Sequence, residues 1–165
     1  LAACVQPDFG VLTHLGDAHL EAFGDEADLR AEKLSLFAGC KWVVMPDSLS
    51  DAAEDLRECG VTARTWGQSG SAEWLVTSAS NSDEHRSFQV IGHPGQWRLP
   101  ARGEIAFRNA MTALSAAWAL GHSADARLAH RMLALRDLDM RMQRLQTPDG
   151  HWVLSDAWTN DWGAL

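Results

Sequence analysis

No Gly-Lys pair occurs anywhere in these 165 residues, so the sequence holds no G-x-x-x-x-G-K-[ST] phosphate loop, and no G-x-G-x-x-G fingerprint is present either. G-x-S-x-G and H-E-x-x-H are also missing, which leaves the common hydrolase readings with nothing to stand on. No run approaches the roughly 20 apolar residues of a membrane-spanning helix, and no basic-then-apolar stretch opens the chain; the expectation is a cytoplasmic protein. The three cysteines, Cys4, Cys40 and Cys59, lie far apart and outside any C-x-x-C spacing. They are expected to be small buried hydrophobes in a reduced compartment, not a disulfide frame or a zinc site. Basic residues are scarce, 14 against 22 acidic ones, for a net charge of −8. Such a surface repels phosphate backbones and anionic lipid, so neither nucleic acid nor a membrane is expected as a partner. Nucleotides remain compatible, because a metal ion can bridge an acidic site to phosphate.

What is there is ordinary globular composition, 46% hydrophobic and 22% charged. The opening Leu1 to Val5 reads like the tail of a helix already under way, and the chain stops at Leu165 without a tail. Both ends look cut, and a piece of a longer protein is expected.

The pattern along the chain predicts strand, helix, strand, helix, strand. Phe9 to Leu15 reads as a buried strand, and Gly16 to His19 as a loop at its C-terminal end. A helix over Glu26 to Ala38 is N-capped by Asp25 and stopped by Gly39. Trp42 to Met45 is a second strand closed by Pro46, Leu49 to Glu58 a helix, and Thr62 to Trp66 a third strand. That order argues for a parallel sheet with crossover helices, in which ligands sit at the C-terminal strand ends. Then Trp74 to Thr77, Ser87 to Ile91 and Gln96 to Leu99 read as antiparallel strands. Helices follow over Ala106 to Leu120 and Ala124 to Leu135, then a linker over Met140 to Leu145 and a strand over His151 to Ser155.

Two residues stand out for chemistry. The chain has only two lysines, Lys33 and Lys41, and Lys33 falls between Leu29, Leu36 and Phe37 in the apolar stripe of its helix. Its stem either covers apolar surface while the head snorkels out, or the amine is desolvated enough to react or be modified. His19 follows Asp17 at the mouth of the first strand. It is either a capping or surface histidine, or a ligand of a divalent ion on nucleotide phosphate.

Five segments in order resemble the Mur ligases, the ATP-dependent amide-bond-forming enzymes of peptidoglycan precursor synthesis. Pro7 to Gly24, through Thr13-His14-Leu15-Gly16-Asp17-Ala18-His19-Leu20-Glu21, resembles their T-N-I-G-x-x-H-L-[DE] signature, and Arg30 to Phe37 resembles the lysine-bearing helix that follows. Gly103 to Ala117 resembles G-x-H-N-x-x-N-A-x-x-A, Met140 to Gln143 the R-M/L linker, and Ser155 to Asp161 the D-x-Y-N-x-[ND] opening of the C-terminal domain. Departures are His14 for Asn, Ile105-Ala106 for His-Asn, Trp158 for Tyr and Thr159 for Asn.

The resemblance implies an α/β fold: residues 1–138 as the C-terminal part of a P-loop-type central, ATP-binding domain with a parallel sheet and a small antiparallel section, and residues 139–165 as the linker and start of a Rossmann-like C-terminal domain. It implies ATP and Mg2+ as cofactors. A carbamate on Lys33 helps to hold magnesium, His19 ligates it, Asn109 contacts adenine, Arg141 the phosphates and Asp156 the ribose. Ala18 before His19 favours the branch that adds D-alanyl-D-alanine to UDP-N-acetylmuramoyl-tripeptide through an acyl phosphate, and the D-x-W/Y-x-x-D ending resembles the form fused to an alanine racemase. The implied substrates are a UDP-N-acetylmuramoyl-peptide and a D-amino-acid dipeptide. Other Mur ligases, a folylpolyglutamate synthase-like ligase and a non-catalytic truncated module are the alternatives. The isolated chain, without a phosphate loop, is expected to be inactive.

Overall fold

Asp25 starts the first helix as its sequence position requires. In the computed structural model, which describes residues 6–16, 25–82, 85–100, 103–135 and 143–155, its carboxylate accepts from the Asp28 N–H at 2.8 Å. Helix α1 runs Glu26–Ser35, with Glu26 and Asp28 in its first turn and Lys33 in its last, the signs that suit a helix dipole. It stops short of the expected Ala38. Phe37 and Ala38 donate instead to Leu34 and Ser35, three residues back, in a tightened last turn. This turn places the Phe37 ring directly on strand β1 (Phe9–Val11) at Gly10, where any Cβ would overlap it.

β1 is also shorter than the expected Phe9–Leu15. It pairs in parallel with β2 (Trp42–Pro46), and the Leu12 N–H still donates to the Val44 carbonyl at 2.9 Å. The next rung would have to come from the nitrogen of Pro46, which has no hydrogen, so the ladder ends there. β2 leads through a 3-10 turn, Asp47–Leu49, into α2 (Ser50–Glu58), and β3 (Thr62–Gly67) pairs with β2 in parallel.

The expected antiparallel strands are present as β4 (Trp74–Asn81), β5 (His85–Val90) and β6 (His93–Pro100). They are continuous with the parallel part: β4 starts alongside the end of β3, Trp66 opposite Trp74, in parallel. The result is one six-stranded sheet in the order β1-β2-β3-β4-β5-β6. Helix α3 (Glu104–Ala119) and helix α4 (Ala126–Leu133) follow.

Side chains alternate across β2, and this alternation divides the core. Val43 and Met45 pack with Leu34, Ala52, Ala53 and Leu56 of α1 and α2. Val44, between them, faces the other way, in a cluster with Phe88, Trp97, Phe107, Met111 and Leu114 beneath α3. α3 runs antiparallel to the parallel strands. Near its start, Arg108 reaches Ser48, just past β2, and at its end the Ala119 carbonyl accepts from Arg64 of β3.

His93 stacks on Trp118 of α3, ring centroids 3.8 Å apart. Burial pushes its pKa below the usual 6.5. Just below that value the unfolded chain then binds more protons than the folded one, so stability falls as the pH drops through this window. The urea midpoint is expected to fall between about pH 7.5 and about pH 5.5, and His93→Phe, which keeps a ring on Trp118, should flatten the slope. A slope unaltered by the substitution would assign it to other groups.

Two further expectations need correction. Residues 143–145 are not linker: Gln143–Gln146 is a strand, β7, paired antiparallel with β8 (Trp152–Ser155). The turn between them is Pro148-Asp149-Gly150, with Gly150 at φ 90° and the Thr147 hydroxyl holding the His151 backbone. Cys40 is a buried thiol as expected, its pKa raised by burial and by the nearby Asp8 charge, whereas Cys59 is exposed because it follows the last turn of α2, ahead of the turn at Gly60. Cys4 lies outside the described residues.

Candidate active site

Three segments meet beyond the C-terminal ends of β1 and β2. They are the stretch ending at Leu15-Gly16, the inner face of α1, and the turn that leads into α2. Between them lies a cavity of about 360 Å³ lined by Leu15, Gly16, Glu26, Leu29, Arg30, Lys33 and residues 48–52. This is where ligands bind in open α/β sheets.

Lys33 is half-buried on the cavity wall. Leu29 and Leu34 of the same helix are buried, and the ammonium donates to the carbonyl of Gly16. That contact brings the helix lysine against the loop whose sequence continues to His19. His19, Arg141 and Asp156 themselves lie outside the described residues. Arg30, one turn before Lys33, is engaged elsewhere: it bonds Asp55 of α2 at 2.6 Å, with Asp51 at 3.7 Å. Among the described residues, Lys33 has no carboxylate within ion-pair distance.

Asn109 is exposed on α3 in the half of the helix nearest this end of the sheet. The preceding residue, Arg108, extends its guanidinium to the hydroxyl of Ser48, 3.4 Å away, on the cavity rim. Ile105, where the resembling motif has His, is exposed, and Ala106 is half-buried with no polar atom to offer a ligand.

Sequence reasoning missed Asp47 and Ser48. The Asp47 carboxylate accepts from the Ser69 N–H at 2.8 Å and lies where a Cβ on Gly67 would be, so the turns after β2 and β3 are tied together and a side chain at position 67 would displace that carboxylate. A signal was available: Asp47-Ser48 follows a buried strand, just as Gly16 to His19 follows β1.

Ser48, Ser50, Glu26 and Asp51 offer hard oxygen donors of the kind magnesium takes, but among the described residues no three His, Cys, Asp or Glu side chains gather. Magnesium with one or two carboxylates usually completes its shell with water and ligand phosphate, and the donors here suit that mode.

Residues 1–117 match the Mur ligase middle domain. The chain belongs to the Mur ligase family. It is 23% identical over 158 residues to the UDP-N-acetylmuramoyl-tripeptide–D-alanyl-D-alanine ligase of Bacillus subtilis, a match covering 96% of this chain and 34% of that protein. MurF of Thermotoga maritima, solved in complex with ADP, superposes with a TM-score of 0.82 at 17% identity, over 99% of this chain and 38% of that one. MurF of Acinetobacter baumannii gives 0.80 at 20% identity, over 97% and 36%. These likenesses establish the Mur ligase central-domain fold, a mixed α/β sheet that is mostly parallel and curled. The chain spans about a third of the length of the relatives it matches.

Proposed function

We propose that this chain is part of an ATP-dependent ligase that joins D-alanyl-D-alanine to UDP-N-acetylmuramoyl-tripeptide, acting in the cytoplasm. The observation that carries the reading is the half-buried Lys33 on the wall of a cavity at the C-terminal strand ends, hydrogen-bonded to the Gly16 loop. The names of the relatives supply the substrates, and the ADP complex of the T. maritima relative supplies the nucleotide.

In this reading a carboxylate oxygen of the muramoyl-peptide attacks the γ-phosphorus of ATP, and ADP departs. The amine of the dipeptide then attacks the acyl phosphate, and inorganic phosphate leaves as the amide forms. Such transfers are governed by positioning and by stabilisation of the transferring charge. Bound magnesium would supply positive charge to the phosphate oxygens. Lys33 would hold it as a carbamate: the amine lone pair bonds to the carbon of carbon dioxide and a proton is released, turning a cation into an oxygen donor. His19 is assigned as a further ligand, Asn109 to adenine, Arg141 to phosphate and Asp156 to ribose. The segment from residue 139 onward is assigned to the start of the next domain.

The test is to incubate the full-length protein that carries this chain with both substrates, ATP and magnesium. The expected result is one phosphate released per UDP-N-acetylmuramoyl-pentapeptide formed, read by phosphate release and product mass. ATP-independent product, or transfer of another amine in place of the dipeptide, would overturn the assignment. The isolated 165-residue chain is expected to form no product.

A further inference from the structure

We propose that Arg108 is a phosphate-binding residue of this site, grasping the polyphosphate of the nucleotide from the side opposite Lys33. Glu104 and Arg108 stand four residues apart on α3, the spacing at which an acid and a base pair on a helix. That pair is not made. Arg86 of β5 takes the Glu104 carboxylate at 2.6 Å, and its own guanidinium packs on the Phe107 ring, 3.6 Å from the centroid. With its helical partner diverted, Arg108 extends to Ser48 on the cavity rim, and among the described residues no carboxylate pairs with it.

The cavity rim is therefore bordered by Arg108, a cation that the described residues do not neutralise. Serine is a weak, neutral partner for a guanidinium. A phosphate oxygen pair would match the planar fork of N–H donors far better. The same helix also departs from the motif it resembles, with Ile105 and Ala106 in place of His-Asn, and Arg108 lies one turn beyond Ile105 on that face. Arg108 thus supplies α3 with a polar contact that these departures remove.

The inference rests on the nucleotide reading of the cavity, and its test is separable from ligase activity. Titration calorimetry with ADP and with inorganic tripolyphosphate, both with magnesium, is compared for the full-length protein and for Arg108→Ala, Arg108→Gln and Arg108→Lys. Arg57→Ala, an exposed arginine in the last turn of α2, controls for the loss of one positive charge. Arg108→Ala and Arg108→Gln are expected to weaken both probes about 10- to 100-fold. Arg108→Lys should restore part of the loss, Arg57→Ala should bind like the parent, and the circular dichroism of every variant should be unaltered. Affinity of Arg108→Gln within twofold of the parent overturns the proposal. So does an equal loss in Arg57→Ala, or a parent that binds neither probe. A protein that binds tripolyphosphate through Arg108 yet forms no amide leaves this inference standing and removes the ligase reading. Full turnover with unaltered affinity in Arg108→Gln removes the inference alone.

Discussion

Lys33→Ala in the full-length protein is expected to lower turnover by about 100-fold or more, the scale seen when a charge-stabilising group is removed from a phosphoryl or acyl transfer site. Far-UV circular dichroism should stay normal. Leu29 and Leu34 keep their own burial without the lysine stem, and a substitution of this kind costs about 1 kcal/mol of stability. Short carboxylates distinguish the chemistry. If Lys33 acts as a carbamate, formate or acetate entering the vacated space beside Gly16 supplies an oxygen anion again, and part of the turnover returns. A lysine whose only task is to hold the Gly16 carbonyl would gain nothing from an added acid, because that carbonyl needs a donor. Loss without rescue therefore assigns Lys33 to positioning the loop, and full activity in Lys33→Ala removes it from the mechanism.

The largest expected effect on stability is at Trp118, far from the cavity. Its ring meets Trp97 of β6 edge-on at 5.3 Å, lies 6.4 Å from Trp74 of β4 and stacks on His93. It fastens the C-terminal half of α3 to the antiparallel strands, while the other half carries Arg108 to Ser48 on the cavity rim. Trp118→Ala is expected to cost about 3–5 kcal/mol, a large fraction of the roughly 5–15 kcal/mol that holds a domain folded. Trp118→Phe is the informative companion. The indole N–H is buried and unpaired, so phenylalanine removes an unsatisfied donor while keeping most of the packed ring, and should cost far less than alanine. Urea denaturation of both variants measures the difference. A loss below about 1.5 kcal/mol in Trp118→Ala would show that the surrounding rings close over the gap.

Much of this architecture is legible in the residue order. Asp25 marks the start of the first helix, the run Trp42 to Pro46 reads as a buried strand, and the positions of Lys33 and Gly16 suffice to name the helix and loop that meet. Boundaries are less legible because they depend on partners. β1 ends at Val11 because its neighbour presents a proline at the next rung, a fact about the pairing of two distant segments. α1 stops at Ser35 because Phe37 is drawn onto Gly10. The strand at Gln143 is invisible without its partner, since Gln143-Arg144-Leu145-Gln146 has little β character of its own. In the site, Arg108 escapes sequence reading for a similar reason. Four residues after a glutamate, it reads as an ordinary surface ion pair, and only Arg86, from a strand well upstream, breaks that pair.

The order of the strands has a consequence for how the molecule assembles. Among the described residues, every hydrogen-bonded neighbour in the six-stranded sheet is also the next strand along the chain. β4, β5 and β6 are separated by only three and two residues and have the smallest loop-closure cost, whereas β1 must bring β2 back across a whole helix. Closure entropy thus ranks the pairings among these strands: lowest within the meander, higher where β3 and β2 join it, and highest where β1 meets β2 across α1. The loop that meets Lys33 follows directly on the strand whose pairing costs most. A change that loosens β1 from β2 is therefore felt first at the wall of the cavity.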